Sequence, residues 1–249
     1  MNSEIEIREC TTFDVLSECV DLQREVFALP EIEISPVRHL IVTVNAGGFV
    51  LGAFNGEELV GFVLSVPAFL RGQQAFYSHM TAVKATFQSG GIGGRLKWAQ
   101  REKAISLGVK FVKWTFEPWK ARNAYFNLEK LGAIVSEYQP NFYGIDYTTA
   151  STGGVPIGLA SDRLFAEWHL ESEKVVALSN GDAFEDVRTP EAEIGVTPDW
   201  AALVAGDTGA AIEEQKRLKA EFEPAFERGL VGSGFKRDAK SPAYLMFPK

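Results

Sequence analysis

The sequence predicts an α/β protein in which strands and helices are mixed along a chain of 249 residues. An Asn55-Gly56 pair separates two apolar, strand-like segments, 48–54 and 59–66, as a tight β-hairpin requires. A third strand-like segment, 76–83, is followed by a glycine-rich loop and then by a helical pattern. Over about the first 145 residues, the predicted order is strand, two helices, three strands, helix, strand and helix.

The first strand and helix are predicted from alternation and capping signals. Ile5 and Ile7 alternate with charged residues, which is typical of a half-exposed strand. Thr11 or Thr12 is placed to cap the helix that follows. The apolar face of this helix is formed at helical spacing by Phe13, Leu16, Val20 and Phe27.

A loop over 30–36 leads into a second helix, which is expected to end near Asn45. The hairpin after it is expected to turn at Asn55 and Gly56. This dipeptide favours a type I′ turn, in which both central residues have positive φ angles.

The elements after the glycine-rich loop are predicted in the same way. Leu96, Ala99, Ala104 and Leu107 recur at helical spacing, and Gly108 stands where a helix C-cap glycine belongs. The elements expected next are a buried strand over 109–116, a helix over 119–131 and strands over 133–138 and 162–170. We expect the last of these strands to close the sheet against the one before it.

The remainder of the chain, 172–249, is interpreted as an accessory α+β segment packed on a domain formed by 1–171. Its predicted elements are a short strand at 175–178, a loop over 180–198, helices over 198–206 and 209–228, and a terminal hairpin of 230–236 with 243–247. No catalytic motif is recognisable in this segment.

The segment most informative about function is Gln88-Ser-Gly-Gly-Ile-Gly-Gly-Arg-Leu96. Glycine costs about 1 kcal/mol per helical position relative to alanine, so several glycines at one helix entry need a reason. One reason is a set of bare backbone N–H groups that face an anion at the positive end of the helix, with Arg95 and Lys97 as nearby cations. The alternative is a tight strand-to-helix turn without a ligand, and the glycines alone do not decide between the two.

Two known phosphate-binding motifs do not match this loop. A dinucleotide-binding fingerprint needs a third glycine where Leu96 stands, and an acidic residue after a strand that here ends near Lys113 and Trp114. A nucleoside-triphosphate P-loop needs Gly-Lys-Ser/Thr, which is absent from the sequence. Both interpretations are rejected.

The strand, glycine loop, helix, strand and helix, with Gln88, Gly91 and Gly93 in a Gln-x-x-Gly-x-Gly pattern, resemble the GCN5-related N-acetyltransferase (GNAT) superfamily. The resemblance covers about the first 145 residues. It implies a mixed, mostly antiparallel central sheet flanked by helices, with a V-shaped splay between the strands at 76–83 and 109–116. It also implies acetyl-CoA or another acyl-CoA as co-substrate. The residues implied to contact it are Met80, Thr81, Ala82, Val83, Gln88, Ser89, Gly90, Gly91, Ile92, Gly93, Gly94, Arg95 and Asn123.

Three residues are candidates for acid–base catalysis. Glu117, the first carboxylate after the second splayed strand, and His79, on the first, are alternative bases for the amine. The family's usual acid is a tyrosine, but alignment on Lys130 and Gly132 places Leu128 at that position. Tyr125, one helical turn earlier, is the substitute candidate, and its alternative role is core packing.

The acceptor pocket is predicted less directly. Asn141, Tyr143 and Asp146 lie in a long irregular segment that would line such a pocket, and ordinary turn chemistry explains the same residue types.

Composition excludes several function classes. A formal net charge of −8 argues against nonspecific nucleic-acid binding. The sequence contains no apolar run long enough for a transmembrane helix and does not begin like a signal peptide, so neither a membrane nor secretion is expected. Cys10 and Cys19 are too few for a disulfide framework, and scattered histidines do not predict a metal site. A cytoplasmic protein is therefore predicted.

The predicted function is an acyl-CoA-dependent N-acyltransferase that transfers the acyl group, acetyl by default, to a primary amine of a small molecule by direct attack on the thioester. One alternative is an N-succinyl or other acyl transfer to an amino acid. A second alternative is a CoA-binding regulatory module without catalysis. A homodimer is one expected assembly of the accessory segment.

Overall fold

The computed structural model describes residues 5–27, 29–145 and 158–249. The chain forms two compact units, and the division between them falls between Lys113 and Trp114. The functional division into a domain, 1–171, and an accessory segment, 172–249, stays a prediction.

The first unit contains the elements predicted from the sequence, in the predicted order. They are β1 (Ile5–Glu9), α1 (Phe13–Phe27), α2 (Val37–Asn45), β2 (Phe49–Asn55), β3 (Glu58–Leu70), β4 (Gln73–Val83), α3 (Ile92–Ser106) and the first half of β5 (Phe111–Phe116). Short 3-10 turns at Glu31–Glu33 and Ala85–Phe87 complete it.

The strands β1 to β4 pair antiparallel with their sequence neighbours, whereas β4 and β5 are parallel. The β4–β5 register consists of Phe76 opposite Val112 and Tyr77 opposite Lys113. Among the described residues, these two positions make up the β4–β5 register, and they lie in the first unit.

The hairpin between β2 and β3 is confirmed, but its turn differs from the prediction. The strands close at Asn55 opposite Glu58, so Gly56 and Glu57 form the loop. Gly56 has a φ of 64°, whereas Asn55 is not among the residues with positive φ. The type I′ turn at Asn55-Gly56 was therefore wrong, because pairing extends one residue further and leaves glycine at the first central position, as in type II′ turns.

Both faces of β3 are buried because helices cover each of them. Phe62 and Leu64 belong to the core formed with α1 and α2, which includes Leu16 and Leu40. Alternate residues face α3 instead: a Cβ built on Gly61 would lie 3.3 Å from a methyl group of Leu96. Side chains alternate between the two faces of a strand, so a continuous apolar segment is what two-sided burial requires.

A β-bulge interrupts β4 in the middle of this sheet. Leu64 pairs with Met80 and Ser65 pairs with Ser78, so His79 is the extra residue between them. Such a bulge changes the direction of the strand and of the side chain that it carries. The bulge lies two residues after the last position at which β4 pairs with β5.

In the second unit, the strands follow the order β7-β6-β9-β10-β8. Its strands are the end of β5, β6 (Ile134–Gln139), β7 (Arg163–His169), β8 (Ala192–Gly195), β9 (Leu230–Lys236) and β10 (Ala243–Pro248). Its helices are α4 (Ala121–Tyr125), α5 (Glu173–Ser179), α6 (Trp200–Gly206) and α7 (Thr208–Glu227). As predicted, β6 pairs with β7 and β9 with β10, both antiparallel.

Three predictions for the second unit need correction. The segment 175–178 lies in α5 and not in a strand, since its main chain forms helical hydrogen bonds, from Val176 N to Ser172 O at 2.9 Å and from Asn180 N to Val176 O at 3.2 Å. The strand β8 lies within the predicted loop 180–198 and is stabilised by pairing with β10, a contact that local sequence does not reveal. The predicted helix 119–131 consists of α4 followed by a π-helical turn, Phe126–Lys130.

Aromatic side chains form the core of the second unit. Phe222 of α7 stacks on Tyr138 with ring centroids 5.8 Å apart and meets Tyr244 edge-to-face at 5.0 Å. The Tyr244 hydroxyl is buried and donates a hydrogen bond of 2.7 Å to the carbonyl of Pro118. Because a buried hydroxyl needs such a partner, this bond fixes the start of α4 against β10.

Candidate active site

The N-terminus of α3 presents backbone N–H groups to solvent. Gly91, the N-cap, has a φ of 78°, in the left-handed region that favours glycine, and among the described residues no side chain caps this helix. The first helical hydrogen bond runs from Arg95 N to Gly91 O at 3.1 Å. The amides of Ile92, Gly93 and Gly94 precede this bond and carry the positive end of the helix dipole.

The space in front of these amides is open. A Cβ built on Gly91 or Gly93 would meet no atom within 4 Å, and one on Gly90 would lie 3.5 Å from the Phe87 carbonyl. Ser89 has a φ of 68°, which is unusual for a residue with a side chain. A loop of this shape leaves room for a phosphate group at the helix end.

The side chains of Gln88 and Arg95 brace the loop. Gln88 Nε2 donates to the carbonyl of Val83 at 3.0 Å, and Arg95 Nη2 donates to the carbonyl of Ile5 at 2.6 Å. These contacts tie the loop to the ends of β4 and β1. The backbone amides are therefore the groups of the loop best placed to bind an anion.

Lys97 does not lie beside the loop, which corrects its expected role as a nearby cation. Its side chain is buried in the first unit and donates to Ser78 Oγ at 3.0 Å and to Gln100 Oε1 at 2.6 Å. Gln100 in turn donates to Ser65 Oγ at 2.7 Å. Since α3 turns by about 100° per residue, Lys97 and Gln100 point inward while Arg95 points to solvent.

His79 lies on the β4 bulge and is an exposed residue, but Ser35 and His39 lie next to its ring. Its Nε2 atom lies 3.4 Å from Ser35 Oγ, and its ring centroid lies 6.0 Å from that of His39. Burial, and secondly the charge of His39, lower the pKa of His79 below its ordinary value. A histidine that stays neutral near pH 7 is able to accept a proton from an amine.

The other catalytic candidates lie in the second unit. The carboxylate of Glu117 forms an ion pair of 2.5 Å with Lys120 Nζ. Asn123 lies in α4, and its backbone N–H donates to the carbonyl of Lys120 at 2.9 Å. Two cations lie near the Tyr125 ring, Arg237 at 5.0 Å and Lys130 at 5.6 Å from its centroid.

No family model matches the chain, and no curated protein matches it significantly. Solved structures do match its fold. A GNAT family acetyltransferase from Elizabethkingia anophelis with acetyl-CoA bound aligns over 67% of this chain and 98% of its own, with a TM-score of 0.50 and 19% identity. The protein has the GNAT acetyltransferase fold.

Two further structures with the GNAT fold align comparably. The ribosomal-protein-S18-alanine N-acetyltransferase from Escherichia coli covers 66% of this chain and 93% of its own, with a TM-score of 0.51 and 13% identity. A GNAT acetyltransferase from Streptococcus pneumoniae covers 66% and 98%, with a TM-score of 0.52 and 14% identity. About a third of this chain has no counterpart in either structure.

The position at which the GNAT pattern expects a tyrosine is closed to solvent. Leu128 is fully buried within the π-helical turn after α4. The adjacent Glu129 carboxylate accepts a hydrogen bond of 2.6 Å from the amide of Phe235 in β9. Leu128 is therefore a core residue of the second unit.

The predicted acceptor residues take part in turn hydrogen bonds. The amide of Asn141 donates to Asp162 Oδ1 and that of Tyr143 to Ser161 Oγ, both at 2.7 Å. Asn141 has a φ of 50°, as a turn residue of this type readily adopts. Asp146 lies outside the described residues. For Asn141 and Tyr143, the turn interpretation accounts for the observed contacts, and a role in acceptor binding stays a prediction.

The structure adds residues that the sequence did not single out. Gln100 lies four residues after Leu96 and four before Ala104, so its place on an apolar stripe was a readable signal. Ser35 and His39 carry no such signal, because their contact with His79 spans about forty residues of chain.

Neither a metal-binding cluster nor a membrane-spanning helix is found among the described residues. No group of three or more His, Cys, Asp or Glu side chains there is arranged to hold a metal ion. Across the same residues, every helix is too short or too polar to span a bilayer.

Proposed function

We propose that the protein is an acyl-CoA-dependent N-acyltransferase. The observation that carries this proposal is the uncapped N-terminus of α3, with Gly91 in a left-handed conformation and open space before Gly93, in a GNAT fold. The Elizabethkingia anophelis structure of the same fold has acetyl-CoA bound. Because this chain has a net charge of −8, a pyrophosphate would have to be held locally by backbone amides.

In this proposal, the two ends of the coenzyme bind different elements. The loop Gln88–Arg95 holds the pyrophosphate, and the main chain of Met80–Val83 pairs with the pantetheine arm. The β4–β5 pairing ends at Tyr77, which supports this arrangement because it leaves the later main chain of β4 without β5. Asn123 is proposed as a further pantetheine contact.

The acceptor amine attacks the thioester carbonyl directly, and the thiolate of CoA leaves. A cysteine acyl-enzyme is not needed, and both Cys10 and Cys19 are buried in the core. His79 is the preferred base, because its lowered pKa keeps it neutral, whereas Glu117 is already ion-paired. Tyr125 is proposed as the acid that protonates the thiolate.

The proposed acceptor is the primary amine of a small molecule, and the default donor is acetyl-CoA. The acidic surface implied by a pI of about 5.1 favours a cationic or zwitterionic acceptor. The Escherichia coli neighbour is named for an alanine of a ribosomal protein, so the acceptors tested should include peptide N-termini.

Two measurements test the proposal. Mass spectrometry of the ligand retained after gentle purification should detect CoA or an acyl-CoA, and the acyl mass would name the donor, acetyl or succinyl. Turnover is then measured as free thiol released from a panel of acyl-CoAs with amino acids, polyamines, aminoglycosides and peptides. Binding of ATP or NAD in place of CoA would contradict the proposal.

Leu128 favours one second candidate, a CoA-binding module without catalysis. A buried leucine where the GNAT pattern expects the acid removes the usual proton donor. Binding of CoA without thiol release from any donor and amine would establish this alternative. If turnover is found, a Tyr125→Phe variant should lower kcat about tenfold or more, while the affinity for CoA is unchanged.

A further inference from the structure

The β4 bulge is held on one face by a buried polar network. Ser65 and Ser78, the pair next to the bulge, both accept hydrogen bonds from Gln100 Nε2, at 2.7 and 3.1 Å. Lys97 Nζ donates to Ser78 Oγ at 3.0 Å. All these side chains are buried, so α3 fixes the backbone position from which His79 projects.

The opposite side of the bulge faces the segment between α1 and α2. Ser35 lies just before α2, and Gln23 of α1 holds its main chain with both ends of the side-chain amide. Gln23 Nε2 donates to the Ser35 carbonyl at 3.2 Å, and the Ser35 amide donates to Gln23 Oε1 at 3.0 Å. Gln23 is only 1% exposed, so both ends of this buried amide find a partner in a single residue.

The serine held in this way contacts one particular atom of His79. Ser35 Oγ lies 3.4 Å from Nε2, at the long limit for a hydrogen bond. Contacts of this kind often shorten when a substrate binds. His39, one helical turn after Ser35, meets the His79 ring at a centroid distance of 6.0 Å and an interplanar angle of 79°. The ring of His79 thus has a defined neighbour at its edge and a hydroxyl at Nε2.

A hydrogen bond at one imidazole nitrogen decides which nitrogen carries the proton. The hydroxyl of Ser35 is able to accept a hydrogen bond from Nε2–H, or to donate one to Nε2 when Nδ1 carries the hydrogen. In the tautomer with Nε2–H, Nδ1 has the free lone pair and is the atom that accepts a proton from the amine. Ser35 would thereby determine the orientation of the ring as well as the basic atom.

We propose that Ser35 is a positioning residue of His79, which it holds in the Nε2–H tautomer with Nδ1 as the basic nitrogen. This inference rests on the proposed function for its catalytic meaning, but the tautomer is a property of the resting protein. The sequence alone does not predict this contact, since Ser35 and His79 are 44 residues apart in the chain.

The test is NMR of the imidazole nitrogens by long-range proton–nitrogen correlation in the full-length protein. The chain has three histidines, so His79, His39 and His169 can be assigned by single substitution. In the wild-type protein, both nitrogens of neutral His79 should show the limiting shifts of a single Nε2–H tautomer. In Ser35→Ala, these shifts should move to values averaged between the two tautomers, and Ser35→Thr, which retains the hydroxyl, should preserve the wild-type pattern.

His169, in the second unit, is the internal reference and should not change. A wild-type His79 with Nδ1–H, or a Ser35→Ala protein with unchanged His79 shifts, would overturn the proposal. If the protein proves active, Ser35→Ala should lower kcat about tenfold without changing the KM for acyl-CoA, and Ser35→Thr should restore kcat. Equal activity of Ser35→Ala and wild type would also overturn it.

The NMR result does not depend on turnover. An inactive protein with the expected tautomer change would contradict the proposed function and leave the positioning of His79 by Ser35 in place. An active protein in which His79→Ala retains full kcat would contradict the base assignment. Together, these outcomes distinguish failure of the proposed function from failure of the positioning.

Discussion

Lys97 Nζ lies 2.6 Å from Gln100 Oε1 in the interior of the first unit. Both side chains extend from α3, and Lys97 is 4% exposed. Burial lowers the pKa of Lys97 well below its ordinary value, because the charged ammonium loses its hydration. The protonation of this residue therefore links the stability of the fold to pH.

In a Lys97→Met variant, the free energy of unfolding should rise less steeply with pH than in the wild type. The unfolded chain keeps the lysine proton up to about pH 10.4, whereas the folded protein releases it at lower pH. Between these two pKa values the unfolded state binds more protons, so the free energy of unfolding rises with pH. Urea unfolding from about neutral pH to about pH 10 measures this dependence.

Over part of the same pH range, other groups make the free energy of unfolding fall as pH rises. The effect of Lys97 is therefore measured by comparing the wild type with Lys97→Met. The raised pKa of the Cys19 thiol makes the folded state retain a proton that the unfolded state releases. The difference between wild type and Lys97→Met isolates the lysine. Lys219→Met, at an exposed site of α7, is the matched control and should keep the wild-type slope. An unchanged slope in Lys97→Met would contradict the prediction.

Replacing Gly93 with Val should weaken CoA binding by about tenfold or more, equivalent to about 1.4 kcal/mol. The side chain would enter the open space before the helix amides, where the pyrophosphate is proposed to bind. Folding should be preserved, because no atom lies within 4 Å of the new Cβ and valine is a better helix former than glycine. Calorimetric titration with CoA measures the affinity.

Gly206→Val is the control for this experiment, since a Cβ at Gly206 also meets no atom within 4 Å. It lies in α6, outside the proposed CoA site, and should leave the affinity unchanged. Full CoA affinity in a folded Gly93→Val protein would show that the loop does not hold the pyrophosphate.

Replacing His39 with Phe should raise the pKa of His79. Burial is the larger cause of the lowered pKa and stays, while the charge repulsion from His39 is removed. Because the neutral imidazole is the base, activity should fall as pH decreases through the His79 pKa. In His39→Phe, this fall should occur at a higher pH, as measured by the pH profile of kcat/KM.

His169→Gln serves as the comparison for His39→Phe, because His169 belongs to the second unit. Its pH profile should match that of the wild type. A His39→Phe profile shifted to lower pH would show that the two histidines do not interact as described.

The two thiols should be unreactive in the folded protein. Cys10 and Cys19 are 1% and 0% exposed, and a hydrogen bond between the Cys19 thiol and Cys10, together with burial, raises the pKa of Cys19. Ellman's reagent at mildly alkaline pH should detect almost no thiol before unfolding and both thiols in denaturant. Rapid labelling of either cysteine in the native protein would contradict the described core.

Introducing tyrosine at position 128 should destabilise the protein by about 1–3 kcal/mol, because the site is already filled. We expect no gain in kcat, since the hydroxyl would be forced into an apolar core. Thermal unfolding measures the loss, and Leu128→Met, which conserves volume, should cost less. A stable and faster Leu128→Tyr protein would show that position 128 faces the reacting groups.

The elements of the first unit were predictable because their signals are local. The apolar runs of β2 and β3, the glycines before α3 and the turn residues act within a few positions of the chain. The turn of the β2–β3 hairpin was misplaced by one residue, because cross-strand pairing of Asn55 with Glu58 competes with the intrinsic preference of Asn-Gly.

The second unit shows where local signals are insufficient. The segment 175–178 is apolar and short, so periodicity does not distinguish a helix from a strand, and packing of Val175 decides it. Likewise, β8 exists as a strand through its pairing with β10, whose residues lie about fifty positions later in the chain.

The sequence by itself determined the order of the elements in the first unit and the helix that the glycines enter. Each of these features depends on the backbone preferences of consecutive residues, so a short stretch of sequence is enough to predict it. Only the tertiary structure decided that Ser35 and His39 approach His79, that Lys97 is buried on Gln100, and that Leu128 is closed to solvent. The contacts of His79 join different elements, whereas Lys97 and Gln100 share the inner face of α3, and all of them depend on how the apolar faces pack together.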